Sequence, residues 1–253
     1  MGAERAIEYW PDGAGEAQRL AWAYDVHNDS SEVAAEIIDA FPPAVADLWD
    51  IAAACYAVDR RVRRPPSGSW KPSDWRRNIR VRVAVRQPAL WERHRSLLEG
   101  LLGWLTCDRW SLSFRPGEPP LPPVQLVLKE KWPDERVAVL FSGGMDSTAG
   151  VLHEASQRRD GALLTVSVSS NERMRSHQKE LINAIRPRLG VRLEWLPFRL
   201  YLTKSAPARE AESSQRTRGM VFLAAGIAAA LTAGCRRLLV YETCRPCCGR
   251  SPG

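Results

Sequence analysis

A short apolar run, residues 137–141, ends in Ser142-Gly143-Gly144-Met145-Asp146-Ser147 and passes directly into a helical segment from Thr148. No other stretch restricts the fold as tightly. Strand, Gly-rich turn and helix start, in that order, describe a cradle for phosphate. Two adjacent glycines let the backbone approach an anion and take angles that other residues resist. The helix behind them aims unpaired N–H groups and a positive dipole end at the same point. Ser142 and Ser147 add hydroxyl donors, and Asp146 suits either a helix cap or the placing of Mg2+. A strand, turn and capped helix with no ligand is the plainer reading, but Ser-Gly-Gly-x-Asp-Ser is far more restrictive than a lone Gly pair. It is not a Walker A loop, because no Gly-Lys-Ser/Thr closes it.

From Val137 onward, strand and helix patterns alternate. A β-rich run over 162–169 follows the first helix, then a helix over 172–189 ended by Gly190. Residues 191–196 read as a strand, 203–215 as a polar stretch, 217–233 as an apolar helix closed by Gly234, and 237–241 as a fourth strand. This order predicts an α/β fold, a parallel sheet with helices on both faces. Ligands in such sheets sit at the carboxyl ends of the strands, which is where the Gly-rich loop falls.

The first half reads differently. Residues 1–42 carry no sustained period; short strands and a helix over 31–40, capped by Ser30 or Ser31, are expected. After Pro42-Pro43, apolar residues from Val45 to Ala57 recur at helical spacing, and Arg60, Arg61, Arg63 and Arg64 suit that helix's negative end. Residues 76–86 alternate, with Ile79, Val81, Val83 and Val85 on one face and Arg80, Arg82 and Arg86 on the other. A helix over 90–105 and strands over 110–114 and 124–128 complete a smaller α+β domain of residues 1–130. A joint near 129–135 leads into a second domain of residues 136–253.

The net charge of +7 suits nucleotide or nucleic-acid binding without demanding it. The arginine face of 76–86 makes nucleic acid a candidate partner through Arg80, Arg82 and Arg86, although a solvated basic face is the commoner meaning of such a run. No apolar run is long enough to span a bilayer and no signal peptide is evident, so a cytoplasmic protein without a membrane partner is expected. The six cysteines are spread too unevenly for a disulfide framework, and Cys55 and Cys107 read as small buried apolar residues.

A second informative stretch opens the apolar helix: Ser213-Ser214-Gln215-Arg216-Thr217-Arg218-Gly219. Arginines at a helix N-terminus oppose its dipole unless an anion is bound. Guanidinium groups match phosphate oxygens in fork geometry, so Arg218 and Arg216 are candidate phosphate ligands; two solvated surface arginines are the alternative. His153 and His177 are candidates for proton transfer by residue type only, and His153 is the more structural of the two.

The Ser142–Ser147 motif resembles the signature of the PP-loop ATP pyrophosphatases, an adenine nucleotide alpha hydrolase-like fold. Within that family the Arg218-Gly219-Met220-Val221-Phe222-Leu223 run resembles the 7-cyano-7-deazaguanine synthase (QueC-like) branch, with Arg218 at the matching position. The fit is closer to the QueC-like component of Qat anti-phage defence systems. That branch carries a similar Ser-Ser-Gln-Arg-x-Arg-Gly run, and an N-terminal extension with Asp-x-x-Asp-Ile-Ala and Asp-Arg-Trp, here residues 47–52 and 108–110. The resemblance covers most of residues 43–242, although only Ser142–Ser147 is highly specific. It implies an ATP-dependent ligase or synthase that splits ATP into AMP and pyrophosphate. A substrate carboxylate attacks the α-phosphorus, pyrophosphate leaves, and an amine then attacks the adenylate. Ser142, Gly143, Gly144, Met145 and Ser147 would hold the leaving pyrophosphate; Asp146 would order the loop or Mg2+; Arg218 and Arg216 would offset phosphate charge. The strand end bearing Ser167 and Ser169 would contact adenine, and proteins of a defence operon are implied partners.

The synthase branch continues beyond this point with a four-cysteine zinc cluster, whereas here Cys244, Cys247 and Cys248 crowd an aperiodic tail. Adjacent cysteines ill suit one ion and no second pair follows, so no metal site is assigned and zinc is not expected in this chain. A reading frame lost near Thr243, or a shortened copy, is the expectation the tail raises. Two other functions stay open: a PP-loop enzyme that modifies tRNA or DNA, and a non-catalytic subunit that binds ATP.

Overall fold

The computed structural model describes residues 6–11, 13–22, 25–29, 41–64, 76–117, 136–158, 161–203, 212 and 214–241. The expected helix over 31–40, the strand over 124–128 and the cysteines of the tail lie outside the described residues. Strands β1 (Ala6–Trp10), β2 (Gln18–Ala21), β4 (Asn78–Val85) and β5 (Arg109–Pro116) form one sheet in the order β2-β1-β4-β5. A second sheet has the order β3-β8-β7-β6-β9, built from β3 (Val26–Asn28), β6 (Arg136–Leu140), β7 (Ala162–Ser169), β8 (Arg192–Leu202) and β9 (Leu238–Leu239). The helices are α1 (Pro43–Arg61), α2 (Pro88–Arg93), α3 (Arg95–Thr106), α4 (Met145–Ser156), α5 (Glu172–Ile185) and α6 (Arg218–Thr232).

The α/β class stands, but the second sheet is mixed. Strands β6 to β9 run parallel, while β3 pairs antiparallel with β8, Val26 opposite Leu202. The edge strand therefore comes from the N-terminal part of the chain. β8 also continues past Pro197 to Leu202. Proline is tolerated there because β3 covers β8 only from Leu200, so the missing N–H falls where the strand's outer side is open.

Alternation along β6 to β8 divides the second sheet's side chains between two clusters. Val137, Val139, Leu163 and Leu193 pack with Val151 of α4 and Ile182 of α5. Ala138, Leu140, Leu164, Val166 and Phe198 pack with α6 and α1 instead. Helix α1 is the common wedge. Pro43 presets its first turn. Its Ala-rich barrel is buried nearly all round, against β4 on one side and α6 and β8 on the other. Trp49 lies 5.1 Å from Phe198, ring to ring.

The expected helix over 90–105 is two helices, interrupted at His94, whose ψ of 7° leaves the helical range. Each piece sends a glutamate to the open side of β5: Leu112 N–H donates to Glu99 at 2.8 Å and Phe114 N–H to Glu92 at 3.2 Å. Carboxylates on an edge strand block its pairing with other chains.

Several charges that read as surface features are internal. Arg86 does not share the outer face of β4 with Arg80 and Arg82; it follows the strand and donates to Asp47 and Asp50 of α1 at 3.0 and 2.9 Å. Asp47 also accepts from the backbone of Arg86 and Gln87 and from the Trp91 indole. Arg64 binds Asp108 through both terminal nitrogens at 2.9 Å, and Arg77 bridges Asp108 and Asp59. The Asp-x-x-Asp run on α1 and the Asp-Arg-Trp run beside it are thus ion-pair hubs. Cys107, expected to be a buried thiol, ends α3 in the left-handed region with φ 62° and is disulfide-bonded.

Burial pushes the Asp50 carboxyl up to about 7; Arg86 opposes this and the neighbouring Asp47 charge adds to it. A raised folded-state value contributes stability that is full below the ordinary 3.8 and is lost as the pH rises through about 7. Asparagine mimics the protonated form. An Asp50→Asn variant is therefore expected to flatten the stability profile between those limits, measured by urea unfolding across pH. A profile as steep as wild type would mean that Asp50 is ionised throughout.

Candidate functional site

The Gly-rich loop joins β6 to α4 and is braced from inside and from the side. Phe141 N–H still reaches Val166 O at 2.8 Å, so the chain leaves the sheet only at Ser142. Gly143 turns with φ 82°, a left-handed angle. Helix α5 clamps the turn: Gln178 Nε2 donates to Ser142 O at 3.1 Å, and the His177 ring lies 3.2 Å from Gly143 O through Nε2. Gly144 stands at the N-cap of α4. Its carbonyl accepts from the Ser147 and Thr148 hydroxyls at 3.0 and 2.8 Å. Ser142 Oγ accepts from Gly144 N–H and lies 3.1 Å from Ser147 Oγ.

These bonds divide the motif by role. Ser142, Gly143 and Gly144 line a cleft of about 440 Å³. Ser147 is only 2% exposed, and its hydroxyl shapes the loop rather than facing outward. Met145 is 86% exposed, and Asp146 lies exposed in the first turn of α4. The first-turn N–H groups of that helix have no partner within the helix, the usual basis of an anion site.

The opposite wall of the cleft is Arg218, Gly219 and Phe222, at the start of α6. The Arg218 guanidinium rests over the Phe222 ring, 5.1 Å from its centre, and approaches Met174 Sδ at 3.6 Å. It is held by soft contacts on one side and faces the loop on the other. A narrow recess shares Arg218 and Phe222 and adds Tyr56, Val168, Ser170 and Leu200. Ser167 and Ser169 do not offer their hydroxyls to the cleft. Both are buried and donate to the carbonyls of Phe141 and Phe198 at 2.7 and 3.3 Å. Alternation along β7 puts both on one buried face of the sheet, and Ser170, just past the strand, is partly exposed.

The backbone before Arg218 is fixed by α1. Asp59 is fully buried and accepts from Thr217 N–H at 3.1 Å and from its hydroxyl at 2.8 Å, capping α6 from another helix. Tyr56 OH donates to Gln215 Oε1 at 3.2 Å, where Gln215 holds a left-handed φ of 44°. Arg60 donates to Glu212 O, and Arg64 N–H donates to the Glu212 carboxylate at 3.0 Å. Arg216 does not line the cleft and lies near enough to Arg64 for their like charges to repel. The structure therefore brings Ser142, Gly143, Gly144 and Arg218 together, while Arg216 belongs to the α1 side.

The sequence reading missed Tyr56, Asp59, Gln178, Gly219 and Phe222. Gly219 and Phe222 stood within the Arg218–Leu223 run without a role of their own, and Asp59 was the single acid just before the Arg60–Arg64 run.

The arrangement is built for an anion with an apolar neighbour: hydroxyl and backbone donors on one wall, one guanidinium and one aromatic ring on the other. Among the described residues no three His, Cys, Asp or Glu side chains converge on a common point. No helix among them is long and apolar enough to cross a membrane. No protein-family model, curated protein or solved structure matches the chain, so the case for the site rests on its own geometry.

Proposed function

We propose that the chain binds ATP in this cleft and breaks the bond between its α- and β-phosphates, as a QueC-like member of the PP-loop pyrophosphatases serving an anti-phage defence system. The observation that carries the reading is the pairing of the Gly143 turn with Arg218 across one cleft. A methyl group at Gly143 would lie 3.2 Å from Gln178 Cγ, so the loop lies against α5 where only glycine fits, leaving its other side to a ligand. In this reading the loop and the first turn of α4 receive the β- and γ-phosphates. Arg218 neutralises charge nearer the α-phosphorus, and the base lies in the cleft towards the carboxyl end of β7. Asp146 supplies one carboxylate for Mg2+, an ion that is commonly held by one or two carboxylates plus substrate phosphates.

The chemistry balances as an adenylyl transfer. A carboxylate oxygen of the acceptor forms the new bond to the α-phosphorus. The bond from that phosphorus to the bridging oxygen breaks, and pyrophosphate leaves with the electron pair. An amine then displaces AMP from the acyl carbon. Catalysis of this kind is mostly positioning and charge neutralisation.

Calorimetric titration tests the binding step. ATP with Mg2+ is expected to bind much more tightly than AMP, and Arg218→Ala to weaken ATP about 30-fold, the equivalent of one charge-assisted hydrogen bond. Chromatography of the products should show AMP and pyrophosphate. Release of ADP and phosphate, or equal affinity for AMP and ATP, would sink the reading.

A further inference from the structure

The outer face of the first sheet differs in chemistry from the cleft. Its inner face carries Ile7, Tyr9, Ile79, Val81 and Leu112, packed under α1 and the α2–α3 pair. The outer face presents the alternate residues. In register, Trp10 lies opposite Arg80, Glu8 lies between Arg82 and Arg19, and Arg109 lies beside Asn78. The guanidinium carbons of Arg80 and Arg82 stand 5.7 and 5.5 Å from the centre of the Trp10 ring. Arg82 and Arg19 approach the Glu8 carboxylate at 3.3 Å each, and their side chains remain 46% and 59% exposed. Arg80 and Arg82 thus flank one partly buried indole, and Arg82 and Arg19 hold one carboxylate whose side chain is 14% exposed. Arg86, which the sequence grouped with them, is not part of the set.

We propose that this face binds single-stranded RNA. An indole flanked by guanidinium groups on an open sheet suits an unpaired base with its phosphates on either side, because stacking needs no particular base identity. A duplex keeps its bases stacked and offers this ring nothing. Glu8 selects between the two kinds of single strand. A carboxylate in the middle of a phosphate-binding surface repels a backbone that has only acceptors. It has about four lone-pair sites, and the contacts from Arg19 and Arg82 leave sites for a donor. The ribose 2′-hydroxyl is such a donor, and deoxyribose lacks it.

Fluorescence anisotropy with labelled oligouridylate of about twenty nucleotides tests this, beside a DNA strand and an RNA duplex of equal length. The single-stranded RNA is expected to bind tightest. The double variant Arg80→Gln/Arg82→Gln should weaken it and reduce the slope of log affinity against log salt by about 1.4, since each lost phosphate contact on a single strand removes about 0.7. Trp10→Ala should weaken binding about tenfold. Glu8→Gln, which keeps an acceptor but removes the charge, should bring DNA affinity towards that of RNA. ATP titration of each variant should be unchanged, which separates failure here from failure of the cleft assignment. Equal binding of the duplex, an unchanged salt slope in the double variant, or DNA binding as tightly as RNA in the wild type would overturn the proposal.

Discussion

An Asp59→Ala variant is expected to lose about 3 kcal/mol of stability and most of its ATP affinity together. Asp59 is fully buried, and its partner Arg77 has only 3% of its side chain exposed. Removing one partner of a buried ion pair leaves a charge without its counterion, typically at 3–5 kcal/mol. Asp108 still contacts Arg77, which places the loss near the lower end. For a chain of this size that is a fall in melting temperature on the order of 10 °C. The second effect comes from the other oxygen of the same carboxylate, which caps Thr217 and so fixes the residue before Arg218. A double-mutant cycle with Arg218→Ala separates the two effects. The stability losses should add, because Arg218 is outside the ion-pair hub. The affinity losses should not add, because once the guanidinium is gone its placement no longer matters. If Asp59→Ala binds ATP like wild type in a protein still folded at the assay temperature, α1 does not position Arg218.

Gly143→Val should abolish ATP binding with a smaller change in stability. The residue sits at φ 82°, where a β-branched side chain is strained, and an added Cβ would meet Gln178 Cγ at 3.2 Å and His177 Cδ2 at 3.4 Å. Both neighbours belong to the α5 clamp, so relief of the clash comes by moving the loop. The strain is about 1–2 kcal/mol from the left-handed angle alone. A displaced loop loses its aim at the anion, so affinity is expected to fall about a hundredfold or more. Gly100→Ala is the matched control. It lies within α3, a Cβ there meets nothing within 4 Å, and removing a flexible residue from a helix interior stabilises by about 0.4–1 kcal/mol. Wild-type affinity in Gly143→Val would show that the turn is not part of the ATP site.

The strand, turn and helix around Gly143 were legible because every determinant lies within about twenty consecutive residues: an apolar run, two glycines and a helical period. The alternation from Val137 onward was legible for the same reason. What escaped was set by distant partners. Asp59 looks like one acid ahead of a basic run, and its meaning comes from Thr217, 158 positions away. Gln178 looks like a solvent-facing helix residue, yet it is fully buried, where its amide donates to the carbonyls of Ser142 in the loop and Val168 in β7. Arg86 continues the alternation of β4 in sequence but falls just past the strand, where Asp47 and Asp50 capture it. β3 is three residues long, too short for any period to register.

That short strand bears on how the molecule comes to be made. Asp29 accepts from the backbone N–H of Arg199 at 2.5 Å, a bond that closes over 170 positions of chain. During synthesis from the N-terminus, residues 26–28 leave the ribosome long before β8 exists. Pairing over such a separation is entropically costly and slow. β3 therefore waits without its sheet partner until β8 has emerged, and the sheet that carries the cleft gains this edge only when most of the chain has been made.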